Sequence, residues 1–189
     1  MLVDQAIYGA VRNGHGLRCA SGDQKLAAEL ANRLDLPDTA PASVEWSPYV
    51  SGFAHHDHYV LAKTLSDPSA GRAGMVLTHA LICRREEIVV CSDLRPLFQR
   101  LIASPADAPA MVESLPVAAG EELPPAFPEV SDVARSLVVR APGPVVRIGT
   151  AGFEDLVAAL WSRLWPALRA RFSFRLSFGP GDIVEQPEP

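Results

Sequence analysis

The sequence predicts an α+β domain: a mixed, mainly antiparallel sheet with two to three packed amphipathic helices. Three observations predict it. The first is the apolar run at 72–83, R-A-G-M-V-L-T-H-A-L-I-C, with Asp67-Pro68-Ser69 and Gly71 before it and Arg84-Arg85-Glu86-Glu87 after it. In an extended chain Met75, Leu77, His79, Leu81 and Cys83 share one face, and Val76, Thr78, Ala80 and Ile82 the other. Both faces are largely apolar, which marks a strand covered on both sides. The second is a set of strand-like runs joined by turns too short for parallel crossovers. The third is helical spacing of apolar residues at 24–34 and again from Phe153 onward.

Taken in order, 2–12 reads as a strand through Val3, Ile7, Tyr8 and Val11. Asn13-Gly14-His15-Gly16 turns the chain, since Asn-Gly and Gly readily take positive φ, and 17–20 returns as the second strand of a hairpin. Asp23 caps a helix over 24–34 in which Leu26, Leu30 and Leu34 recur every fourth residue. Pro37 and Pro41 end it and open a loop through Ser43. Residues 44–57 read as an irregular segment with Trp46, Tyr49 and Phe53 as anchors among Pro48, Ser51 and Gly52. Residues 59–65 form a strand antiparallel to the central run. A short β-branched run at 88–91 precedes a helix over 93–103, capped by Ser92, with Pro96 tolerated in its first turn. Six prolines disrupt 104–130, where only 111–115 suggests a turn of helix. Regular structure restarts at 132–139 and breaks at Pro142-Gly143-Pro144. A strand at 145–149 leads into a helix through Phe153, Leu156, Val157, Leu160, Trp161, Leu164 and Leu168, with Thr150 as cap, and Pro166 ends or kinks that helix near Trp165. Strict alternation at 171–178 reads as a half-buried strand. The expected organisation is an N-terminal subdomain at 1–103 and a Pro-rich connection at 104–130. A strand-helix-strand unit at 131–180 would complete the same domain, with 181–189 a tail or truncation point.

Composition narrows the function classes. Apolar residues at 48% and charged residues at 21% describe a globular chain, and a net charge of −5 argues against a general nucleic-acid binder. The charge is uneven. Seven arginines between Arg135 and Arg175 face only Glu154 and Asp155, a local balance of +5 that leaves −10 on the remainder. Such a segment either pairs with the chain's own acids or displays a docking face to an acidic partner, with Arg163, Arg169, Arg171 and Arg175 as the interaction residues. Cys19, Cys83 and Cys91 follow no disulfide or zinc-ribbon spacing. With no basic leader and no apolar run near about 20 residues, a cytoplasmic protein without a membrane segment is expected.

The polar candidates are few. His55-His56-Asp57-His58 is a ligand-rich cluster, and His56, His58 and His15 would form a three-imidazole site for a zinc-class ion with one position left for water. His79 shares a face with Cys83, but four strand residues separate them by about 13 Å, too far for a nucleophile–base pair. A Cys19–histidine pairing across the sheet stays open, as does a structural His79 bonded to Thr78 or Tyr59. Gly149-Thr150-Ala151-Gly152 sits between a strand and a helix, yet neither it nor Gly14-His15-Gly16 fits a phosphate-loop pattern. No catalytic residue and no cofactor site emerges.

Five motifs in order carry a resemblance: D-Q-A-I-Y-G at 4–9, G-H-G-L at 14–17, L-P-D-T at 36–39, R-A-G-M-V-L-T-H-A-L-I at 72–82 and F-S-F-R at 172–175. Together they resemble the N-terminal domain of bacterial GTPase-associated proteins of NTP-dependent conflict systems, from Asp4 to about Asp182. The resemblance implies a non-catalytic adaptor or regulatory module in antiphage defence. Its partner would be a GTPase or further domains of the same polypeptide, and it brings no catalytic residues. The competing expectation is a metal-dependent or cysteine hydrolase built from the His55–His58 cluster, His15, His79 and Cys19. Nucleic acid is the least expected partner.

Overall fold

A computed structural model of the chain describes residues 1–12, 14–36, 47–71, 74–118, 123–139 and 144–178. Its sheet contains β1 (Leu2–Val11), β2 (Gly14–Ala20), β3 (Tyr49–His55), β4 (His58–Ser66) and β5 (Val76–Arg84), ordered β2-β1-β5-β4-β3. A two-residue β6 (Leu115–Pro116) pairs with Leu2 and Val3 of β1. Every described ladder is antiparallel. The apolar run thus lies in the middle of the sheet as β5, buried from Val76 to Cys83. It is flanked by two hairpins, β1–β2 and β3–β4.

Helices cover both faces, as a two-sided central strand requires. On one face, α1 (Gln24–Glu29) and the 3-10 turn Ala31–Arg33 pack Ala27, Leu30 and Leu34 against Ala6, Tyr8, Val60, Ala62, Ala80 and Ile82. Register explains the close approach. Ala20, Ala6, Ala80, Ala62 and Ser51 are successive cross-strand partners, so a trough of small residues crosses five strands beneath the helix. On the other face, α2 (Arg85–Ile88), α3 (Arg95–Phe98) and α5 (Phe153–Arg163) pack Ile88, Leu94, Leu97, Val157, Ala158 and Trp161 over Val3, Tyr59, Leu61, Leu81 and Cys83. Trp161 is fully buried, stands edge-on to Tyr59 at 5.2 Å between centroids, and donates its indole N–H to the Cys91 carbonyl at 2.8 Å.

Several elements differ from the sequence expectation. Residues 49–55, expected to be irregular, form β3; Gly52 in it lets Phe174 approach, and the two residues exchange backbone hydrogen bonds of 2.8 and 2.9 Å. That single bridge is all of the strand expected at 171–178, although Phe172 and Phe174 do pack against the core. Residues 145–149 form no strand. Val146 and Ile148 are exposed, and Arg147 bends the segment by donating to the carbonyls of Gly149 and Ala151. The helix at 24–34 divides into α1 and its 3-10 turn, with Asp23 accepting from the Lys25 and Leu26 amides as expected. The helix at 93–103 shrinks to α3, whose N-cap position is Leu94 with no side-chain cap, while the Asp93 carboxylate accepts from the Arg95 amide at 2.9 Å. Ile88 closes α2 instead of opening a strand, and 111–115 is extended into β6. α4 (Val130–Val139) occupies the expected restart, and Pro166 separates α5 from α6 (Pro166–Arg169), opening α6 as its first residue. The turn at Asn13, the loop with Pro37, Pro41 and Trp46, Arg72, Ala73, Arg140, Pro142-Gly143 and the 181–189 tail lie outside the described residues.

Candidate functional site

The histidine cluster is a hairpin tip. β3 and β4 are joined through His56 and Asp57, with His55 paired to His58. His56 adopts φ 49°, a left-handed backbone that few non-glycine residues take. This turn brings the His55 and His56 rings together, tilted by 49° with centroids 4.3 Å apart. Glu29, the last residue of α1, lies on the same side, its Oε2 3.8 Å from His56 Nε2 and 4.0 Å from His55 Nε2. His55 Nε2 and His58 Nδ1 are both hidden from solvent without a hydrogen-bond partner. Desolvation holds His55 below its ordinary pKa, with His56 and Arg33 adding to that and Glu29 opposing it. Arg33 itself lies over the Phe53 ring, 4.2 Å from its centroid.

His15 does not join this group. It lies on β2, opposite Ala10, with Nδ1 3.6 Å from Asp35 Oδ1 and Nε2 buried without a partner. Strand order places three inter-strand steps between β2 and β4, about 14 Å. Register adds to the distance, because His58 lies opposite Arg84 while His15 lies past the Tyr8–Thr78 pair at the other end of β5. His15, His56 and His58 therefore do not converge. His56 also lies in the turn itself while His58 opens β4, so the two do not alternate along one strand.

His79 has both nitrogens engaged. Its Nδ1 accepts the Ile102 amide at 3.2 Å, which assigns the proton to Nε2, and Nε2 donates to Gln5 Oε1 at 3.0 Å. Gln5 passes the chain on by donating to the Glu113 carbonyl at 2.6 Å. Its partners are thus Gln5 and Ile102, not Thr78 or Tyr59. Cys19, Ile7 and His79 occupy one cross-strand row, so Ile7 stands between thiol and imidazole. Burial raises the Cys19 thiol and pushes Cys83 up to about 12, opposite to what an attacking thiolate requires.

The arginines divide. Arg169 is buried: Nε donates to the Trp161 carbonyl at 2.9 Å, Nη1 to Val89 and Cys91 at 2.9 and 3.1 Å, and Nη2 to Ser162 at 3.2 Å. It ties α5, α6 and the 89–91 turn together and presents no charge outward, which corrects its place among the interaction residues. Arg147 is paired with Glu129 at 2.6 Å. Arg163 is exposed and donates to the Ala159 carbonyl, while Arg171 and Arg175 are exposed on the segment after α6. Two apolar side chains project beside them: Trp165 is 77% and Leu168 52% exposed, three residues apart across the start of α6. Val90, 70% exposed, is carried on the turn that Arg169 fastens to them.

A family model described as GTPase-associated protein 1, N-terminal domain type 1, matches residues 2–101, just over half of the chain. The chain belongs to that family. The match spans β1 to β5, α1, α2 and α3 of this GTPase-associated domain, and stops before β6 and the F-S-F-R motif at 172–175. No curated protein and no solved structure matches it. Among the described residues, no helix is long and apolar enough to cross a membrane. Sequence reasoning missed Glu29 as a neighbour of the histidines, because only the packing of α1 on the hairpin brings residue 29 to residues 55 and 56. The exposed Trp165 entered the sequence reading only as the residue near which Pro166 ends the helix, because nothing local to it shows which way its ring turns.

Proposed function

We propose that this GTPase-associated domain is a non-catalytic adaptor of a GTPase-centred bacterial conflict system, acting in the cytoplasm. Its partner is a GTPase or a further domain of the same polypeptide. In this reading 131–180 completes the domain and supplies the docking surface. The observation that carries it is the exposed Trp165–Leu168 pair with Arg163 and Arg171 beside it. Tryptophan and arginine dominate the energetics of protein interfaces, and an indole this exposed on a helix locked in place by a buried arginine is ready to anchor a partner. The competing cysteine-hydrolase reading is opposed by Ile7 lying between Cys19 and His79, and by the raised thiol pKa values.

Co-purification with a GTPase encoded beside it, in nucleotide-free, GDP and non-hydrolysable GTP states, tests the proposal. Saturable binding in at least one state is expected, weakened about tenfold or more by Trp165→Ala. Absence of binding in every state, or binding indifferent to Trp165→Ala and Leu168→Asp, overturns it.

A further inference from the structure

We propose that Glu29, His55 and His56 form a binding site for a divalent cation of the zinc class, distinct from the docking surface at α6. Among the described residues these three are the group whose imidazole nitrogens and carboxylate oxygen all lie within 4.8 Å of one another. Two further observations point to a ligand. The His55 Nε2 atom is shielded from solvent and has no hydrogen-bond partner, so a polar atom is held toward a carboxylate it does not reach. The separations of 3.8 and 4.0 Å are too long for hydrogen bonds. They are close to the separation of about 3.4 Å between ligands each about 2.0–2.1 Å from a shared tetrahedral ion. A shift of the Glu29 carboxylate by about half an ångström would bring its oxygen to that separation from both rings.

The local structure supports this arrangement. Left-handed backbone at His56 turns its ring onto the His55 side, where an extended residue would point to the opposite face. Glu29 ends α1, and its other carboxylate oxygen, Oε1, is 4.0 Å from the Lys25 ammonium, so Oε2 remains for the ion. Two imidazoles and one carboxylate suit zinc and its neighbours in the transition series. Calcium and magnesium take oxygen sets instead. Three protein ligands leave one coordination position for water or for a side chain of another molecule. An ion there would tie the end of α1 to the tip of the β3–β4 hairpin.

The test is zinc titration of the full chain after chelator treatment, read by calorimetry and by the visible spectrum of the cobalt-substituted protein. One equivalent should bind, with calcium and magnesium failing to compete, and zinc should raise the melting temperature. Glu29→Gln and His56→Ala, both at exposed positions, should each weaken zinc by about tenfold or more and abolish the melting shift. His15→Ala and Cys19→Ser should leave affinity unchanged. Lack of saturable binding overturns the proposal, as does binding lost in His15→Ala or Cys19→Ser but retained in Glu29→Gln and His56→Ala. Neither readout involves a GTPase, so this proposal and the adaptor proposal fail separately.

Discussion

Buried polar side chains in this domain are used mainly to fasten one segment to another, and His79 is the clearest case. It joins β5 to β1 through Gln5 and to the start of the connection through the Ile102 amide. Burial lowers its pKa from 6.5 to about 4. A protonated ring would also place an N–H against the Ile102 N–H. The unfolded chain therefore takes up this proton first. The His79 contribution is complete above pH 6.5, declines as pH falls from 6.5 toward 4, and is exhausted below that. The gap converts to about 3 kcal/mol. Lys63 lies opposite on β4, its ammonium paired with Glu154 at 3.3 Å. Urea unfolding across this range should show a shallower loss of stability in His79→Gln than in the wild type; parallel profiles would contradict the assignment. At this scale the sequence showed less than it promised. The His55–His58 cluster was visible, but Glu29 was not, because no local spacing links residue 29 to residues 55 and 56. Arg169 resembled its exposed neighbours, since nothing in its own sequence context shows that four carbonyls surround it.

Elements were legible where one face or both faces of a segment had an unambiguous apolar pattern. β5 was readable because alternate residues on both sides are apolar, and α5 because its stripe runs unbroken to Trp161. β3 was obscured by Gly52, which reads as a turn residue yet serves a contact. A Cβ there would lie 2.4 Å from Phe174 Cε1 and 3.1 Å from Leu61 Cδ2. Gly52→Ala should therefore cost about 1–3 kcal/mol through overpacking, speed amide exchange at Phe174, and loosen the covering of the β3 edge. Phe174→Leu in that background should recover part of the loss, and a double-mutant cycle on thermal stability reads the coupling. Additive costs would show that the two side chains do not compete. The opposite error occurred at 145–149. Its β-branched residues fit a strand, but Val146 and Ile148 stay exposed, so no apolar face holds the segment extended. Arg147 instead folds that segment onto itself.

Over the whole molecule, antiparallel topology and layer order followed from short connections and a two-sided central run. The mutual placement of the two hairpins did not, because only tertiary register fixes it. That placement has a kinetic consequence. β3, β4 and β5 form a meander of near neighbours in sequence, and β1–β2 is a local hairpin. The seam between them pairs Tyr8 with Thr78 and Asp4 with Ile82, residues about seventy positions or more apart. Among the ladders joining β1 to β5, closing that seam carries the largest loss of chain entropy, so the meander should be well formed at the folding barrier and β1 should dock afterward. In stopped-flow measurements Val60→Ala should mainly slow folding, whereas Ile7→Val should mainly accelerate unfolding. The reverse pattern would mean that β1 enters the nucleus. Docking last, β1 leaves one edge of β5 unpaired for a time, an apolar strand open to pairing with another chain during refolding. Self-association that competes with refolding should therefore grow with protein concentration and originate at β5.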